Sequence, residues 1–383
     1  MNILHFKPTM CLEEGGVVKA VLDLCMMAQE NHKIGLATFG PSGVPEQWLE
    51  PGATTTRVHH LSNDSKRITT LNAEQKTQLR EIIKEYDVVH LHSMWTTANP
   101  QVASICKQLG KPYVLSVHGM LDDWCIAQRK LKKVIYLKTW GRNLLRDASV
   151  VHCTAQAELD QASKWFTPSK GRVVPLPFDL DEYVEMPDSE LAYESFGGLD
   201  RGLPKVLFLS RIHYKKGVDR LIKASALLAE QGVKHQLVIA GTGDEPYVEE
   251  MKALAKDQGV NGHTYFLGFA TGQAKVALFG ACDVFALPTS QENFGFVFFE
   301  ALAAGTMVLT TKGTDTWPEI EQSGGGVIVE NTPQAFGEGL GQILGDLERC
   351  RASGKDAREW VHREMSVDRV RDQYHTMYHS LLS

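Results

Sequence analysis

Short apolar runs alternate with helical patterns along nearly the whole chain, and this alternation constrains the fold more than any other feature. Runs that predict strands occupy 3–6, 33–38, 88–92, 113–117, 150–153 and 172–175, and then 206–210, 236–240, 264–267, 284–287, 307–311 and 326–329. Short apolar strands separated by helices are typical of parallel sheets covered on both faces. Two such sets indicate an α/β chain with two doubly wound parallel-sheet domains of Rossmann-like type. Ligands bind such sheets at the carboxyl ends of the strands.

The boundary between the two domains falls near residues 178–204, where acidic and Gly/Pro-rich sequence replaces the periodic patterns and ends in GGLDRGLP. We therefore expect one domain over 1–178 and a second over 204–365. Ser366 precedes an amphipathic run, which predicts a final helix within 366–383. At 383 residues the chain is long enough for two domains with complete cores.

The segment 290–305, SQENFGFVFFEALAAG, carries two carboxylates around a Gly-containing turn that opens into a helix. The first backbone amides of a helix have no intrahelical partner, so a strand, a turn and a helix start together make an anion site. Glu292 lies in the turn and Glu300 lies about one turn inside the helix, so the loop and the helical rise together space them to reach opposite ends of a sugar-diphospho-ribose. In the alternative interpretation, Glu292 caps the helix and Glu300 is a solvated side chain.

A second segment, 206–224, runs from a predicted strand into Arg211 and Lys216 before another helix. Two cations near the carboxyl end of a strand suit a pyrophosphate, because Arg offers a planar fork of donors and Lys a compact charge. Gly217 permits the helix to start beside them, whereas Lys215 is expected to face solvent. The alternative is a charged surface turn without a ligand.

Taken in this order and spacing, these motifs make the chain resemble the family 4 retaining glycosyltransferases of the two-domain GT-B type, over nearly its whole length. That family has a Gly-rich turn after the first strand and a His after a later strand of the N-terminal domain. In the C-terminal domain it has an Arg, a Lys and two Glu. The matching residues here are Gly15, Gly16, His118, Arg211, Lys216, Glu292 and Glu300.

The resemblance implies that a sugar is transferred from a nucleotide diphosphate sugar, such as a UDP- or GDP-sugar, to an acceptor hydroxyl with retention of anomeric configuration. It also implies an acceptor-binding N-terminal domain and a donor-binding C-terminal domain that face each other across a cleft. The helix within 366–383 would cross back to the first domain. The expected acceptor is a saccharide or a lipid-linked molecule, and the expected pathway is polysaccharide or glycoconjugate biosynthesis.

The resemblance further implies a role for each matching residue. The predicted catalytic residues are His118, Arg211, Lys216 and Glu292. Of these, the His positions the donor sugar or shields an oxocarbenium-like centre, the two cations stabilise the departing diphosphate, and the Glu binds hydroxyls of the sugar. The predicted donor-binding residues are Gly15, Gly16, Gly241, Phe269, Asn293, Phe294, Gly295 and Glu300. Among them, Glu300 accepts hydrogen bonds from the ribose, and Gly241 and Phe269 border the nucleobase.

The chain departs from the family pattern in two places. Where the family often has Pro-Asn-Gly-Val-Asp at the domain crossover, this chain reads PLPFDLDEY. Glu13 and Glu14 precede the first glycines, so a second interpretation of that turn is that it admits the acceptor and does not hold phosphate. Asp122 and Asp123 follow the predicted catalytic His and are candidates for ordering it or for contacting the acceptor.

No metal or other cofactor is expected, because the two cations stand where a metal would otherwise neutralise the diphosphate. Asp179 and Asp181 fit the Asp-x-Asp of metal-dependent glycosyltransferases, but they fall in the crossover and not at the end of a core strand. His90 and His92 alternate on one predicted strand. Because the sequence shows no third ligand near them, they are interpreted as a strand end that lines the cleft.

The charge distribution bears on partners. The net charge of -6 argues against a nucleic-acid-binding protein. Residues 1–180 carry 21 Lys and Arg against 17 Asp and Glu, or +4, which leaves -10 for the remainder. The segment 129–146 holds seven Lys and Arg and no acid, and a helical projection places on one face Leu131, Val134, Leu137, Leu144 and Leu145. Packing of that face into the core is the favoured interpretation, and peripheral contact with an anionic membrane is the alternative.

Cysteine usage and hydropathy indicate the compartment. The seven cysteines are scattered and include no Cys-x-x-Cys pair, which favours reduced thiols over a disulfide framework or a zinc site. The first predicted strand leaves no room for a signal peptide, and no apolar run approaches the ~20 residues that span a bilayer. We therefore expect a cytoplasmic protein whose membrane contact, if any, is peripheral on the inner face.

Two other functions are compatible with these patterns. A nucleotide-sugar 2-epimerase shares the two-domain architecture but needs acid and base carboxylates for elimination and has no acceptor. A non-catalytic protein that binds nucleotide sugars would keep Glu300 and Arg211 without needing Glu292, His118 and Lys216. The presence of all five residues favours an enzyme.

Overall fold

A computed structural model describes residues 1–11, 16–50, 55–61 and 70–382. The chain divides into two compact units, with Met1–Phe178 and Val367–Ser383 forming unit 1 and Asp179–Ser366 forming unit 2. Residues 179–203, which the sequence patterns leave outside both predicted domains, therefore belong to unit 2.

The described residues of each unit form one parallel sheet. The strands of unit 1 are β1 (Asn2–Phe6), β2 (Lys33–Thr38), β3 (Arg57–His60), β4 (Val88–His92), β5 (Tyr113–Ser116), β6 (Val150–Cys153) and β7 (Gly171–Val173). Those of unit 2 are β8 (Lys205–Leu209), β9 (Gln236–Ala240), β10 (Thr264–Gly268), β11 (Val284–Leu287), β12 (Met307–Thr311) and β13 (Gly326–Val329). Within the described residues, the orders are β3-β2-β1-β4-β5-β6-β7 and β10-β9-β8-β11-β12-β13. The prediction of two doubly wound, Rossmann-like α/β units is confirmed, and in each the strand order reverses beside the first strand.

Helices separate the strands. They are α1 (Gly16–Ala28), α2 (Ala73–Lys84), α3 (Ala98–Gln108), α4 (Asp123–Ala127), α5 (Lys130–Lys138), α6 (Trp140–Asp147), α7 (Gln156–Ala162), α8 (Asp181–Val184), α9 (Glu190–Ser195), α10 (Val218–Glu230), α11 (Glu245–Asp257), α12 (Gly272–Ala281), α13 (Phe296–Ala303), α14 (Trp317–Gln322), α15 (Pro333–Leu344), α16 (Leu347–Glu364) and α17 (Val367–His379). Short 3-10 helices cover Glu46–Trp48, Ser163–Trp165, Pro168–Lys170 and Tyr214–Lys216.

Strand β3 was missed in the sequence because its residues, RVHH, contain a single apolar side chain, Val58. The strand forms at the edge of the sheet by pairing with β2, from Gly35 opposite Arg57 to Thr38 opposite His60. The strand therefore forms through backbone hydrogen bonds to β2, although its side-chain pattern does not predict a strand.

The strands of unit 1 send alternate residues to two faces, and each face packs against its own helices. One core contains Leu4, Leu91 and Leu115 with residues of α2, α3 and α6. The other contains Ile3 and Val88 with residues of α1 and α17. On this second face, the carboxyl ends of the strands carry buried polar side chains, namely His5, His90, His92, Ser116 and His152.

Helix α17 belongs to the core of unit 1. It buries one side of its surface against α1 and the sheet, with the residues Val370, Tyr374, Met377 and Tyr378. The phenol of Tyr378 also hydrogen-bonds to Nδ1 of His90 at 2.7 Å. The helix is therefore held by apolar burial and by a buried hydrogen bond to β4.

The basic segment 129–146 is not one helix. It forms α5 and α6, which are separated at Thr139, where φ is -112° and ψ is -100°. The prediction that the five apolar side chains share one face is therefore wrong in part. Leu137, Leu144 and Leu145 are buried, but Leu131 is 75% exposed. A helical projection assumes an unbroken helix, and the break turns α5 so that part of its apolar surface remains in solvent.

Two further properties concern the chain as a whole. All seven cysteines lie in described residues and are free thiols. Among the helices that the structure describes, none has the length and apolar character that a bilayer span requires.

Candidate functional site

The loops after β8 and β11 meet at the carboxyl edge of the unit 2 sheet. Lys216, at the end of the 3-10 turn after β8, forms an ion pair with Glu292 in the loop after β11. Their side chains are 12% and 26% exposed, so solvent screens the pair only in part. The sequence predicts both residues at one site, and the structure brings them into direct contact.

Arg211 lies two residues beyond β8, and its side chain is exposed. It has no hydrogen bond or ion pair with any residue that the structure describes. Desolvation, followed by the charges of Arg211, Lys215 and Lys216, lowers the pKa of nearby His213 below its ordinary value. The loop after β8 thus concentrates positive charge beside the ion pair.

Gly217 allows the two loops to approach each other. Its φ is 77°, in the left-handed region, and a Cβ at this position would lie 2.3 Å from the carbonyl oxygen of Pro288. Across the same gap, the amide of Ser290 donates to the carbonyl of Lys215 at 2.8 Å. A side chain at position 217 would force the loops apart and with them the two charged residues that they carry.

The loop after β12 supports the loop of Glu292. The amide of Glu292 donates to the carbonyl of Gly313 at 2.8 Å, and the amide of Asp315 donates to the carbonyl of Glu292 at 3.0 Å. The hydroxyl of Thr316 donates to the carbonyl of Phe294 at 2.9 Å. These bonds fix the backbone of the loop within unit 2, so the position of the carboxylate is preorganised.

The same loop leads into α13 through Gly295, which has a φ of 67° and occupies the N-cap position. Phe294 is buried, with its ring against Phe296 and Phe299. The side-chain amide of Asn293 donates to a carboxylate of the supporting loop at 3.2 Å. Since these side chains are engaged, the groups that the turn presents for an anion are the backbone amides at the start of α13.

Glu300, one turn inside α13, forms an ion pair with Lys275 of α12 at 2.9 Å. The two side chains are 16% and 20% exposed, respectively. Lys275 was not predicted as a site residue. A single Lys in a helical pattern is ordinarily a surface residue, so the sequence carries no signal for this contact.

Two further predicted residues lie at the carboxyl ends of β9 and β10. Gly241 has a φ of 139°, and a Cβ there would lie 1.9 Å from the carbonyl oxygen of Ser210. Phe269 directly follows β10 and is 71% exposed. An exposed ring at this edge of the sheet offers a face for stacking on a planar group.

The glycine turn of unit 1 is described only in part. Gly16 begins α1, is exposed, and has no atom within 4 Å of the place where a Cβ would lie. Gly15, Glu13 and Glu14 lie outside the described residues.

His118 follows β5 and has a φ of 50°, a backbone conformation that non-glycine residues rarely adopt. Its side chain is 8% exposed, and its Nε2 lies 3.2 Å from Nδ1 of His92 in a hydrogen bond. Burial, with smaller contributions from His152 and Lys7, lowers the pKa of His118 to about 3. The imidazole is therefore neutral at physiological pH.

The residues that follow His118 are held by carboxylates. The amide of Gly119 donates to buried Glu158, which also accepts from the hydroxyl of Thr154 at 2.8 Å. Asp122 accepts from the amide of Cys125 and caps α4, while Asp123 pairs with Lys164. The structure thus gives Asp122 and Asp123 local structural contacts, and it adds Glu158, which the sequence did not single out.

His90 and His92 do have a third potential ligand near them, contrary to the expectation from sequence. His5 of β1 pairs in register with His90 of β4, and the ligand atoms of the three side chains lie within 4.8 Å of one another. All three side chains are buried, so the expectation that they line a cleft is also wrong. Both nitrogens of His90 are already engaged, with Tyr378 and Ser116 at 2.7 and 2.6 Å. The arrangement is that of a hydrogen-bonded cluster.

Comparison with known protein families gives two matches in succession. The model described as Glycosyltransferase Family 4 matches residues 14–182, and the model described as Glycosyl transferases group 1 matches residues 193–360. The crystal structure of Anabaena HepE in complex with UDP superposes with a TM-score of 0.79 at 20% identity, covering 99% of this chain and 100% of that chain. The fold is thus that of the GT-B glycosyltransferases.

Curated relatives agree with this class. An uncharacterized glycosyltransferase of Methanocaldococcus jannaschii is 25% identical over 370 residues, which cover 92% of this chain and 90% of the relative. The GDP-mannose-dependent alpha-(1-6)-phosphatidylinositol monomannoside mannosyltransferase of Mycolicibacterium smegmatis is 28% identical over 310 residues, 76% of this chain and 78% of that protein. The chain belongs to the family 4 glycosyltransferases.

The close approach at Gly217 yields a prediction with an internal control. Gly217 and Gly232 flank the same helix, α10, with φ of 77° and 78°, but a Cβ at Gly232 would meet no atom within 4 Å. Gly232→Ala should cost about 1–2 kcal/mol, the strain of a left-handed alanine. Gly217→Ala should cost roughly 3 kcal/mol or more, because the carbonyl of Pro288 must also move. Denaturant unfolding of both variants measures the difference, and equal losses would contradict the proposed contact.

Proposed function

We propose that this protein is a retaining glycosyltransferase that moves a sugar from a nucleotide diphosphate sugar to an acceptor hydroxyl. The observation that carries the proposal is the ion pair of Lys216 with Glu292 beside exposed Arg211, at the carboxyl edge of the unit 2 sheet. Cations placed there neutralise the charge that grows on a departing diphosphate. The carboxylate held among them then has hydroxyls of the donor sugar as its natural ligands.

The proposed mechanism assigns no carboxylate as a nucleophile. Glu292 is compensated by Lys216 and fixed by its loop, which suits a residue that binds and orients. The diphosphate of the donor takes the proton of the acceptor hydroxyl as the glycosidic bond breaks and the new bond forms on the same face. Neutral His118 positions the donor sugar, and Glu300 accepts hydrogen bonds from the ribose once Lys275 gives up part of its pairing.

The proposal does not specify the sugar of the donor, and it allows either uridine or guanosine as the nucleoside. The HepE structure contains UDP, whereas the name of the mycobacterial relative specifies GDP-mannose. Phe269 offers a stacking face that does not distinguish between bases. Thermal-shift measurements with a panel of UDP-, GDP- and ADP-sugars would identify the donor, since a ligand that binds the folded state raises Tm.

Kinetics of site variants test the proposed roles. Lys216→Ala and Glu292→Gln should each lower kcat by roughly a hundredfold or more, the effect of removing a preorganised electrostatic contact. Glu300→Gln should mainly raise KM for the donor, because ribose contacts persist from the ground state to the transition state. Lys223→Ala, an exposed position on α10, is the control and should leave both constants unchanged. Wild-type rates in either of the first two variants would remove that residue from the site.

The proposal also excludes a metal requirement. The proposal assigns to Arg211 and Lys216 the neutralisation of the diphosphate that a divalent ion would otherwise supply. The carboxylate of Asp179 instead accepts a hydrogen bond from the amide of Asp181, the first residue of α8, at 2.9 Å. Full activity is therefore expected in excess EDTA. Loss of transfer in EDTA that Mg²⁺ or Mn²⁺ restores would show that a metal does this work.

One experiment distinguishes a glycosyltransferase from a nucleotide-sugar 2-epimerase. Donor incubated without acceptor should give no epimer, whereas donor with acceptor should give a glycoside that retains the anomeric configuration of the donor. NMR of the products distinguishes the outcomes. A non-catalytic binding protein would give neither product while still showing a thermal shift.

We further propose that α5 and α6 contact an anionic membrane surface that presents a lipid-linked acceptor. Apolar side chains remain exposed at Leu131, Ile135 and Trp140, by 75%, 54% and 60%. Exposed cations adjoin them at Lys130, Lys132 and Lys138. Exposed apolar side chains with exposed cations next to them along the chain match the interface of an anionic bilayer, to which each cation contributes about 1 kcal/mol. The name of the mycobacterial relative also specifies a lipid acceptor, phosphatidylinositol monomannoside.

Vesicle sedimentation tests this contact. The protein should bind phosphatidylglycerol vesicles at low salt, release from them at high salt, and bind phosphatidylcholine vesicles weakly. Replacing Lys130, Lys132 and Lys138 by Gln should abolish binding. Replacing Lys33, Lys76 and Lys84 by Gln, an equal change of charge elsewhere on unit 1, should not. Equal binding to both kinds of vesicle at low salt would refute the hypothesis.

A further inference from the structure

Five histidines are buried at the carboxyl ends of the central strands of unit 1. They are His5, His90, His92, His118 and His152. Burial lowers the pKa of each, to about 3 for His5 and His118 and to about 4 for His152. Because neutral imidazole has one N–H and one lone pair, each ring must find both a donor and an acceptor, or leave a polar atom unpaired.

One branch of this cluster is oriented by a carbonyl group. Nε2 of His152 lies 2.8 Å from the carbonyl oxygen of Val174, which can only accept, so this nitrogen carries the proton. Nδ1 of His152 then accepts from the hydroxyl of Ser116, which accepts in turn from Nε2 of His90. Nδ1 of His90 accepts from the phenol of Tyr378. Every group in this branch is satisfied, which makes its role structural.

The second branch leads to the predicted catalytic residue. Nδ1 of His5 lies 3.0 Å from Nε2 of His92, and Nδ1 of His92 lies 3.2 Å from Nε2 of His118. The rings of His5 and His92 are inclined by 15°, and those of His92 and His118 by 24°. Each neutral ring carries one proton, so His92 can donate to only one of its two neighbours and must accept from the other. Either His5 donates to His92 and His92 donates to His118, or both hydrogen bonds run in the opposite direction.

The buried end of the branch decides that direction. Nε2 of His5 is buried and has no hydrogen-bond partner among the described residues. Unpaired buried N–H groups are rare in proteins, so this nitrogen carries a lone pair. It follows that His5 donates to His92, that His92 donates to His118, and that the proton of His118 is on Nδ1, which makes no hydrogen bond to a described residue.

We propose that His92, supported by His5, is a positioning residue that holds His118 in the Nδ1–H tautomer and aims this donor at an oxygen of the bound sugar. The role at the sugar rests on the proposed function, whereas the tautomer does not. A fixed tautomer matters because the other form would present a lone pair, which can accept from a hydroxyl but makes no hydrogen bond with a ring oxygen.

A metal ion held by His5, His90 and His92 is the competing interpretation of the same cluster. It is disfavoured because His90 would have to give up a bond to Tyr378 or Ser116, and His92 its bond to His5 or His118.

Isosteric variants of His92 separate the two sides of the ring. In His92→Asn, the amide group superposes on Nδ1 and keeps the contact with His118. In His92→Gln, it superposes on Nε2 and keeps only the contact with His5. NMR of protein labelled with ¹⁵N-histidine reports the tautomer directly, and His118→Gln assigns the signal.

The wild type and His92→Asn should show His118 only as the Nδ1–H tautomer, and His92→Gln should show a mixture. On the proposed function, His92→Gln should lower kcat about tenfold with little change in KM for the donor, and His92→Asn should stay within about threefold of the wild type. Tyr378→Phe, which breaks the structural branch, should lower Tm yet leave both the tautomer and kcat as they are.

Several outcomes would overturn the inference. These are an Nε2–H tautomer of His118 in the wild type, a single tautomer in His92→Gln, a loss of kcat in Tyr378→Phe equal to that in His92→Gln, or one equivalent of bound Zn²⁺ that is lost in His5→Leu. Failure of the proposed function would look different. The wild type would then transfer no sugar from any donor, while the NMR spectra would still report the tautomer.

Discussion

The ion pair between Lys216 and Glu292 is the interaction on which the candidate site of unit 2 depends. It joins the loops after β8 and β11, which flank the point where the strand order reverses. Both charges are partly withdrawn from water, and each is the other's compensation while no ligand is bound. In the proposed reaction, a diphosphate bound at Lys216 would take over part of this compensation and free the carboxylate of Glu292 to accept hydrogen bonds from sugar hydroxyls. Lys275 and Glu300 form a second, similarly half-buried ion pair, in which the lysine compensates the charge of the carboxylate.

This charge arrangement requires backbone that only glycine can supply. Gly217, Gly241 and Gly295 all have positive φ, and a Cβ at any of them would lie within 3 Å of a neighbouring atom. They are found where two loops cross or where a loop turns into a helix. Glycine at these positions therefore allows the backbone segments to approach closely, and the oppositely charged side chains on them come into contact.

The sequence predicted much of this, because its signals are local. Apolar runs located twelve of the strands, and the order Gly-rich turn, His, Arg, Lys and two Glu indicated the family. What it missed depends on pairing between distant segments. Strand β3 forms by backbone pairing with little side-chain signal, and the break at Thr139 cannot be seen in a projection that assumes one helix. His5 meets His90 only through the register of β1 on β4, and Lys275 meets Glu300 only through the packing of two helices.

The two units offer different chemistry, and the difference suits the proposed reaction. In unit 2 the candidate groups are charged, which is what a leaving diphosphate requires. In unit 1 they are neutral imidazoles, kept neutral by burial and by one another. In the proposed reaction, the sugar develops positive charge at the anomeric carbon as the diphosphate leaves, and a protonated imidazole in the His118 role would raise the barrier. Burial keeps the imidazole of His118 neutral, and in the proposed tautomer the hydrogen bond from His92 leaves an uncharged N–H donor on Nδ1 of His118. The buried histidine cluster thus orients the hydrogen bonds of His118 and adds no positive charge.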